Sequence, residues 1–168
     1  MLTLDLPKRK HPRLDDYDYA QNGAYFVTFC TAQKRHILSH IAVGRGAYTP
    51  PQVQLTKYGR IVEKYIGNIH DVCPDITVDC YAIMPNHVHL LLRYADSEPC
   101  SGGVRAPRPT VMTVVRSLKT MVTKEIGHTI WQKSFYDHVI RNEADYLAIW
   151  QYVDGNPQTW TADEFYSL

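Results

Sequence analysis

The stretch Asp75-Ile76-Thr77-Val78-Asp79-Cys80-Tyr81-Ala82-Ile83-Met84-Pro85-Asn86-His87-Val88-His89-Leu90-Leu91-Leu92 decides the architecture. From Asp75 to Ile83 the side chains alternate: Ile76, Val78, Cys80 and Ala82 fall on one side, Thr77, Asp79 and Tyr81 on the other. A period of two marks a strand with unlike faces. Met84-Pro85-Asn86 interrupts it, because Pro85 has no N–H to give a ladder and suits a turn or bulge. His87 to Leu92 is the next strand. Two strands with so short a break between them are expected to pair as an antiparallel hairpin.

Working outward, Ala24 to Cys30 is rich in aromatic and β-branched residues and reads as a buried strand. His36-Ile37-Leu38 reads as a short strand beside it, and Gly44, Gly46, Pro50 and Pro51 mark a loop. Thr56 is placed to cap a helix in which Tyr58, Ile61, Val62, Tyr65, Ile66 and Ile69 recur at helical spacing. Thr110 opens a second helix with Val111, Val114, Val115, Leu118, Val122 and Ile126 on one stripe and Gly127 as its C-cap. Phe135 to Arg141 reads as a strand. Asn142 and Asp145 resemble a capping pair for a last helix running to about Gly155, with Pro157 ending it. On that helix Tyr146, Ile149, Trp150 and Val153 are expected to form the buried stripe. The order β, α, β, β, α, β, α predicts an α+β ferredoxin-like sandwich, an antiparallel sheet with helices on one face.

The chain has 168 residues, 45% of them hydrophobic, with 18 Lys+Arg against 17 Asp+Glu. That suits one domain spanning 1–168 and excludes wholesale disorder. A basic N-terminal arm (about 1–22) and a Gly- and Pro-rich linker (about 95–109) flank or interrupt it. No apolar run approaches the ~20 residues of a membrane span. The opening MLTLDLPKRKHPRLDD lacks the apolar core of a secretory signal. Cys30, Cys73, Cys80 and Cys100 form no CxxC pair, which argues against a zinc knuckle. A reduced, soluble, cytoplasmic protein without a membrane partner is expected.

The formal net charge of +1 hides a segregation. Lys8, Arg9, Lys10 and Arg13 cluster near the start. Arg105, Arg108, Arg116, Lys119 and Lys124 follow one another with no acid between, while Glu143 to the end carries only acids. Such blocks are either solvated faces or a surface for a polyanion.

His87 and His89 are the sharpest local signal. Residues i and i+2 of a strand share a face, about 6.6–6.8 Å apart at Cα, so two imidazoles can converge on one ion. Val88, between them, points the other way with Leu90 and Leu92 into the core. Two strand histidines can equally be structural, and the spacing alone does not choose.

Ala82 to Leu92 resembles the hallmark of the HUH-type single-tyrosine transposases, with Val88 as the hydrophobic U. The resemblance extends to Leu14–Thr31, to Trp131-Gln132-Lys133-Ser134-Phe135-Tyr136-Asp137-His138-Val139-Ile140-Arg141, and to Tyr152-Val153-Asp154-Gly155-Asn156-Pro157. Those segments are similar in order to the signatures of the REP-associated tyrosine transposases, within the insertion-sequence transposase-like superfamily; the linker is not matched. The resemblance implies a metal-dependent endonuclease and strand transferase for single-stranded DNA beside hairpin-forming palindromes. It implies Tyr152 as nucleophile, a 5′-phosphotyrosine intermediate, and a divalent ion (Mg²⁺ or Mn²⁺) held by His87, His89 and Asn156. His138 is then a further ligand, an orienting group behind one, or a packing residue of the sheet. Asp79 and Asp137 are weaker candidates for the same surroundings. Monomer and homodimer both stay open.

Lys8, Arg9, Lys10, Arg13, Arg116, Lys119 and Lys124 are the expected DNA contacts. Tyr17, Tyr19, Tyr25 and Tyr136 offer rings for unpaired bases, although Tyr25 suits the core better. Two other functions compete. One is a domesticated, sequence-specific DNA-binding protein without transposition activity; the other is a phosphoesterase that uses water. Deleting the arm is expected to weaken binding of a hairpin oligonucleotide and flatten its salt dependence; unchanged affinity and slope would remove the arm from the interface.

Overall fold

The computed structural model describes residues 17–42, 51–95 and 107–162. The basic cluster of the arm, Gly44, Gly46 and Pro50, most of the linker, and Cys100 lie outside the described residues. Six strands and four α-helices follow in chain order: β1 (Gly23–Cys30), β2 (Ser39–Ala42), β3 (Gln52–Leu55), α1 (Lys57–Gly67), α2 (Ile69–Val72), β4 (Ile76–Ile83), β5 (His87–Tyr94), α3 (Val111–Ile126), β6 (Tyr136–Ile140) and α4 (Glu143–Gly155). A 3-10 turn at Ala32–Lys34 follows β1, and another at Asn156–Ala162 follows α4.

β4, β5, β1 and β6 form one antiparallel sheet in that spatial order. Numbered among themselves the four strands run 2-3-1-4, which is the ferredoxin-like arrangement expected from the sequence. The hairpin partners β4 and β5 pair as foreseen. β1 lies on the other side of β5, with Cys30 opposite His87 and Thr28 opposite His89.

Local chemistry sets the helix ends. The Thr56 hydroxyl oxygen accepts from the N–H groups of Tyr58 and Gly59. Thr110 accepts from Thr113 N–H, and Asn142 accepts from Asp145 N–H. Each satisfies donors that a first helical turn leaves open. Gly127 ends α3 at φ 89°, a left-handed cap that glycine adopts without penalty.

The sheet is covered on both faces, which corrects the one-faced expectation. α1 and α3 lie against the side that carries Tyr25, Val27, Phe29, Val88, Leu90 and Leu92. α4 closes the other side, where Phe26, Ala82, Met84 and Leu91 meet Ile149, Val153 and Trp160. Trp150 is 38% exposed and does not belong to the buried stripe of α4.

Two further expectations are corrected. The alternation of β4 breaks at a bulge between Val78 and Cys80. Ile76 and Val78 therefore serve the α1/α3 side, Cys80 and Ala82 the α4 side. One extra residue turns the remaining side chains over. His36–Leu38 is not a strand; the next strand, β2, pairs with β3 in a separate two-stranded sheet. That small sheet is tied down where Ser39 Oγ donates to Ile83 O and Thr56 N–H to Leu38 O.

Gly59 makes the closest approach in this region. A Cβ there would sit 2.1 Å from Leu38 O and 3.2 Å from a Leu55 methyl. Gly67, in the same helix, faces open space. Gly59→Ala is expected to lower stability by about 1–3 kcal/mol, since a backbone carbonyl has to move. Gly67→Ala should raise it by about 0.5–1 kcal/mol through helix propensity. Thermal unfolding of the two variants checks both signs.

Candidate active site

Because β5 is an inner strand, its alternation has consequences on both faces. Val88, Leu90 and Leu92 are sealed in the α1/α3 core, so His87 and His89 are turned toward α4. Their Nε2 atoms stand 3.0 Å apart. Both rings are buried, at 0% and 1% exposure. Burial, before any other cause, pushes both below the ordinary imidazole value: His87 far down, with the neighbouring His89 and Lys34 adding to it, and His89 to about 3.

Each ring has a partner at its outer nitrogen. His87 Nδ1 lies 2.8 Å from Asn86 Oδ1. An amide oxygen only accepts, so Nδ1 carries the proton and Nε2 presents a lone pair. His89 Nδ1 lies 2.7 Å from Thr28 Oγ1, a hydroxyl that can donate or accept. With Thr28 donating, His89 Nε2–H points at the His87 lone pair. With Thr28 accepting, both Nε2 lone pairs converge on one spot. Asn86 and Thr28 were missed as partners. The signals were a threonine among aromatic and aliphatic residues and an amide directly before the first histidine.

This donor set fits a small divalent ion. Neighbouring positions of an octahedron at about 2.1 Å from its centre are about 3.0 Å apart, which is the separation of the two Nε2 atoms. Outer hydrogen bonds that fix a ring's tautomer are what metal-binding histidines need. Among the described residues no cluster of three or more His, Cys, Asp or Glu accompanies the pair. Further ligands would therefore be amides, water or the substrate itself.

α4 brings Tyr152 to this spot. Its ring is half-buried, 5.3 Å from the His89 ring and 6.1 Å from that of Phe26. Asn156, one turn on, caps α4 and is fully buried. Trp160, in the following 3-10 turn, lies 5.9 Å from the His87 ring and 5.4 Å from that of His36. It closes the site from that side and was not foreseen.

Other expected residues fall elsewhere. His138 faces α4 from β6, where its Nε2 bonds Asp145 Oδ2 at 2.9 Å and ties strand to helix. Asp79 sits at the bulge of β4, bonded to Arg93 and to the Tyr146 hydroxyl. Asp137 is buried in register with Val27, on the α1/α3 side. Tyr19 and Tyr25 are core residues, in edge or tilted contact with Tyr17 and Tyr94, and present no ring to a base.

Arg116, Lys119 and Lys124 project from α3 into a groove of about 670 Å³ with Lys133, Trp131 and Phe135. None of the described residues lining it is acidic. Lys119 donates to Gln132 O at 2.6 Å and holds the facing loop, and burial pushes its ammonium down. The groove lies across the sheet from the imidazoles. Trp131, in its lining, bridges Thr31, which follows Cys30, the β1 partner of His87.

Fold and site together define a ferredoxin-like domain with two converging imidazoles and a tyrosine beside them. The chain is similar to the solved structure of a REP-associated tyrosine transposase bound to a REP hairpin, at TM-score 0.59 and 20% identity over 88% of this chain and 74% of that one. A proposed transposase from Deinococcus radiodurans R1 is more loosely similar, with TM-score 0.48 and 15% identity over 85% of this chain and 97% of that one. No family model matches the chain. The chain belongs to one family with an uncharacterized protein of Haemophilus influenzae, to which it is 31% identical over 176 aligned positions, covering 94% of this chain and 93% of the relative.

The burial of the two imidazoles has a measurable cost. In the unfolded chain a histidine takes a proton near pH 6.5, whereas the folded rings resist it. The unfolded state thus binds more protons as pH falls. In chelator, stability to urea is expected to be full above about pH 6.5 and to drop below it, approaching about 1.4 kcal/mol per pH unit for each ring. His89→Gln should remove one ring's share of that slope.

Proposed function

We propose that the chain is a metal-dependent endonuclease and strand transferase for single-stranded DNA, with Tyr152 as its nucleophile. The observation that carries this reading is the juxtaposition, within one chain, of two converging imidazoles and the Tyr152 ring 5.3 Å from the nearer of them. A phenol so placed suits attack on a phosphate, and a buried imidazole pair suits an ion beside it.

His87, His89 and Asn156 would hold the ion. When bound, it supplies Lewis-acid polarisation of a phosphoryl oxygen. Tyr152 Oη adds to the scissile phosphorus, and the bond from phosphorus to the 3′ oxygen breaks. The phenolic proton passes to solvent and the departing oxygen leaves as a 3′-OH. The product is a 5′-phosphotyrosine, and the reverse attack by a 3′-OH rejoins DNA without another energy source. The neutral tyrosine is a weak nucleophile, with an ordinary pKa near 10, so positioning and local charge have to supply the activation.

The REP hairpin held by the similar transposase supports a hairpin-forming strand as the substrate class. Arg116 and Lys124, with the cations of the arm, would neutralise its phosphates. Lys119 contributes charge while its hydrogen bonds hold the groove wall.

Incubation with labelled hairpin strands and Mn²⁺ is expected to give a denaturant-resistant protein–DNA adduct. Tyr152→Phe should reduce its formation by about a thousandfold or more, and chelation should abolish it. Cleavage by the Phe variant at the unaltered rate would refute the nucleophile. Cleavage with no adduct would favour water, and tight binding with no cleavage would favour a DNA-binding protein.

A further inference from the structure

The two imidazoles are anchored by partners of unlike chemistry. Asn86 Oδ1, 2.8 Å from His87 Nδ1, can only accept. Thr28 Oγ1, 2.7 Å from His89 Nδ1, can accept or donate. An acceptor-only group in both places would put a proton on both Nδ1 atoms. Two bare Nε2 lone pairs would then face each other at 3.0 Å whenever no cation stood between them. Both rings are buried, so water cannot relieve that repulsion. A donor-only group beside His89 would keep the proton on Nε2 and exclude a cation altogether. A hydroxyl serves both cases.

The rest of this contact has little room to adjust. The His89 ring lies 5.2 Å from that of Phe26, 5.3 Å from that of Tyr152 and 4.5 Å from that of His87. It cannot turn over to exchange its two nitrogens without displacing those neighbours. Thr28 is buried on a strand paired along both edges, in register with His89 on β5 and with Tyr136 on β6. Its branched Cβ restricts χ1. The freedom left is rotation of the hydroxyl hydrogen about the Cβ–Oγ1 bond.

We propose that Thr28 is a positioning residue whose hydroxyl bond to His89 reverses when the imidazoles take a divalent cation. It donates to His89 Nδ1 while the two rings are bonded to each other. It accepts from His89 Nδ1–H when the cation lies between the Nε2 atoms. One proton leaves Nε2 to water and one reaches Nδ1 from water, so the ring stays neutral and no bond between heavy atoms changes. An Nδ1–H becomes a stronger donor once Nε2 shares its lone pair with a cation, so the hydroxyl favours the loaded pair. This role rests on the metal-binding part of the reading above and not on the identity of the nucleophile.

Long-range proton–nitrogen correlation spectra of the imidazoles test the reversal in the unaltered chain near neutral pH. In chelator, His89 is expected to carry its proton on Nε2. With Zn²⁺, a diamagnetic ion that imidazoles bind, it should carry it on Nδ1. His87 should keep its proton on Nδ1 in both. A His89 proton on the same nitrogen in both conditions overturns the reversal. Thr28→Val removes the hydroxyl and keeps the branched shape, whereas Thr28→Ser keeps the hydroxyl. Mn²⁺ affinity, read from the free-ion signal in electron paramagnetic resonance, is expected to fall about tenfold or more in Thr28→Val and to stay within about threefold in Thr28→Ser. A Thr28→Val affinity within about threefold of the unaltered chain overturns the positioning role and leaves the nuclease reading intact. Equal losses in the two variants overturn it in favour of packing. Should Thr28→Val not fold, the spectra of the unaltered chain decide. No Mn²⁺ bound by the unaltered chain overturns this role and the metal-dependent reading together. Thr28-dependent binding with no adduct on hairpin strands upholds the role and overturns the nuclease.

Discussion

A strand paired along both edges cannot slip by one residue without turning every side chain to the opposite face. β5 is held in this way, between β1 and β4, over its whole length. Val88, Leu90 and Leu92 are committed to the α1/α3 core, where each fully buried aliphatic side chain is worth about 1.5–3 kcal/mol. A slip would turn the opposite face, His87, His89, Leu91 and Arg93, toward that core in their place. The hydrophobic effect on one side of the sheet therefore fixes the aim of the histidines on the other. The convergence of the Nε2 atoms is a consequence of packing that never touches them.

The same enclosure sets the chemistry of the pair. A buried imidazole is kept neutral, and neutral nitrogen is the form that binds a metal. Asn86 assigns the tautomer of His87 outright, while Thr28 leaves His89 able to take either. Two protonation patterns of equal net charge are thus open to the pair, the second of which needs a cation between the facing lone pairs. One links the rings to each other, and the other turns both lone pairs inward. A fold that obliged His89 to keep its proton on Nε2 would hold the rings just as well and would be useless for a cation. α4 is placed by separate means. Tyr146 bonds Asp79 and Asp145 bonds His138 near its start, and Ile149 and Val153 pack beneath it. Its C-terminal half then falls over the imidazoles.

Much of this was legible because it rests on short-range rules. Thr56, Thr110 and Asn142 announce helix starts through side-chain oxygens that can reach the first free N–H groups, and all three do. Alternation located β5, and proline located its turn. What failed depended on partners distant in sequence. Nothing in Ile76-Thr77-Val78-Asp79 marks a bulge, because the extra residue is defined by the register with Leu91 and Leu92. Trp150 has the right spacing for burial, but Ile149 and Val153 take the sheet-facing side of α4 and leave it partly exposed. Tyr19 looked available for bases and instead fills the core with Tyr94, beside Tyr25, for which the core was the better expectation. The motif resemblance pointed to Tyr152 among twelve tyrosines, a choice that composition and spacing could not make. The pairing of Thr28 with His89 and the packing of Trp160 on His87 became visible only in three dimensions.

The arrangement divides labour between the two faces of one sheet. The α4 side is enclosed and short of charge, which strengthens any electrostatic interaction formed there. The α3 side is open and cationic, and a polyanion can be held there with its counterions released. A chain lying in the α3 groove would not face the imidazoles; to reach them it would have to turn around the end of β1 and β5, where Cys30 pairs with His87 and Thr31 bridges Trp131. A double helix is too wide and too stiff for such a turn at this scale, with a persistence length of about 150 base pairs, whereas a single strand is not. The separation of the cationic groove from the imidazoles is thus a constraint that a double helix meets poorly and a single strand meets well.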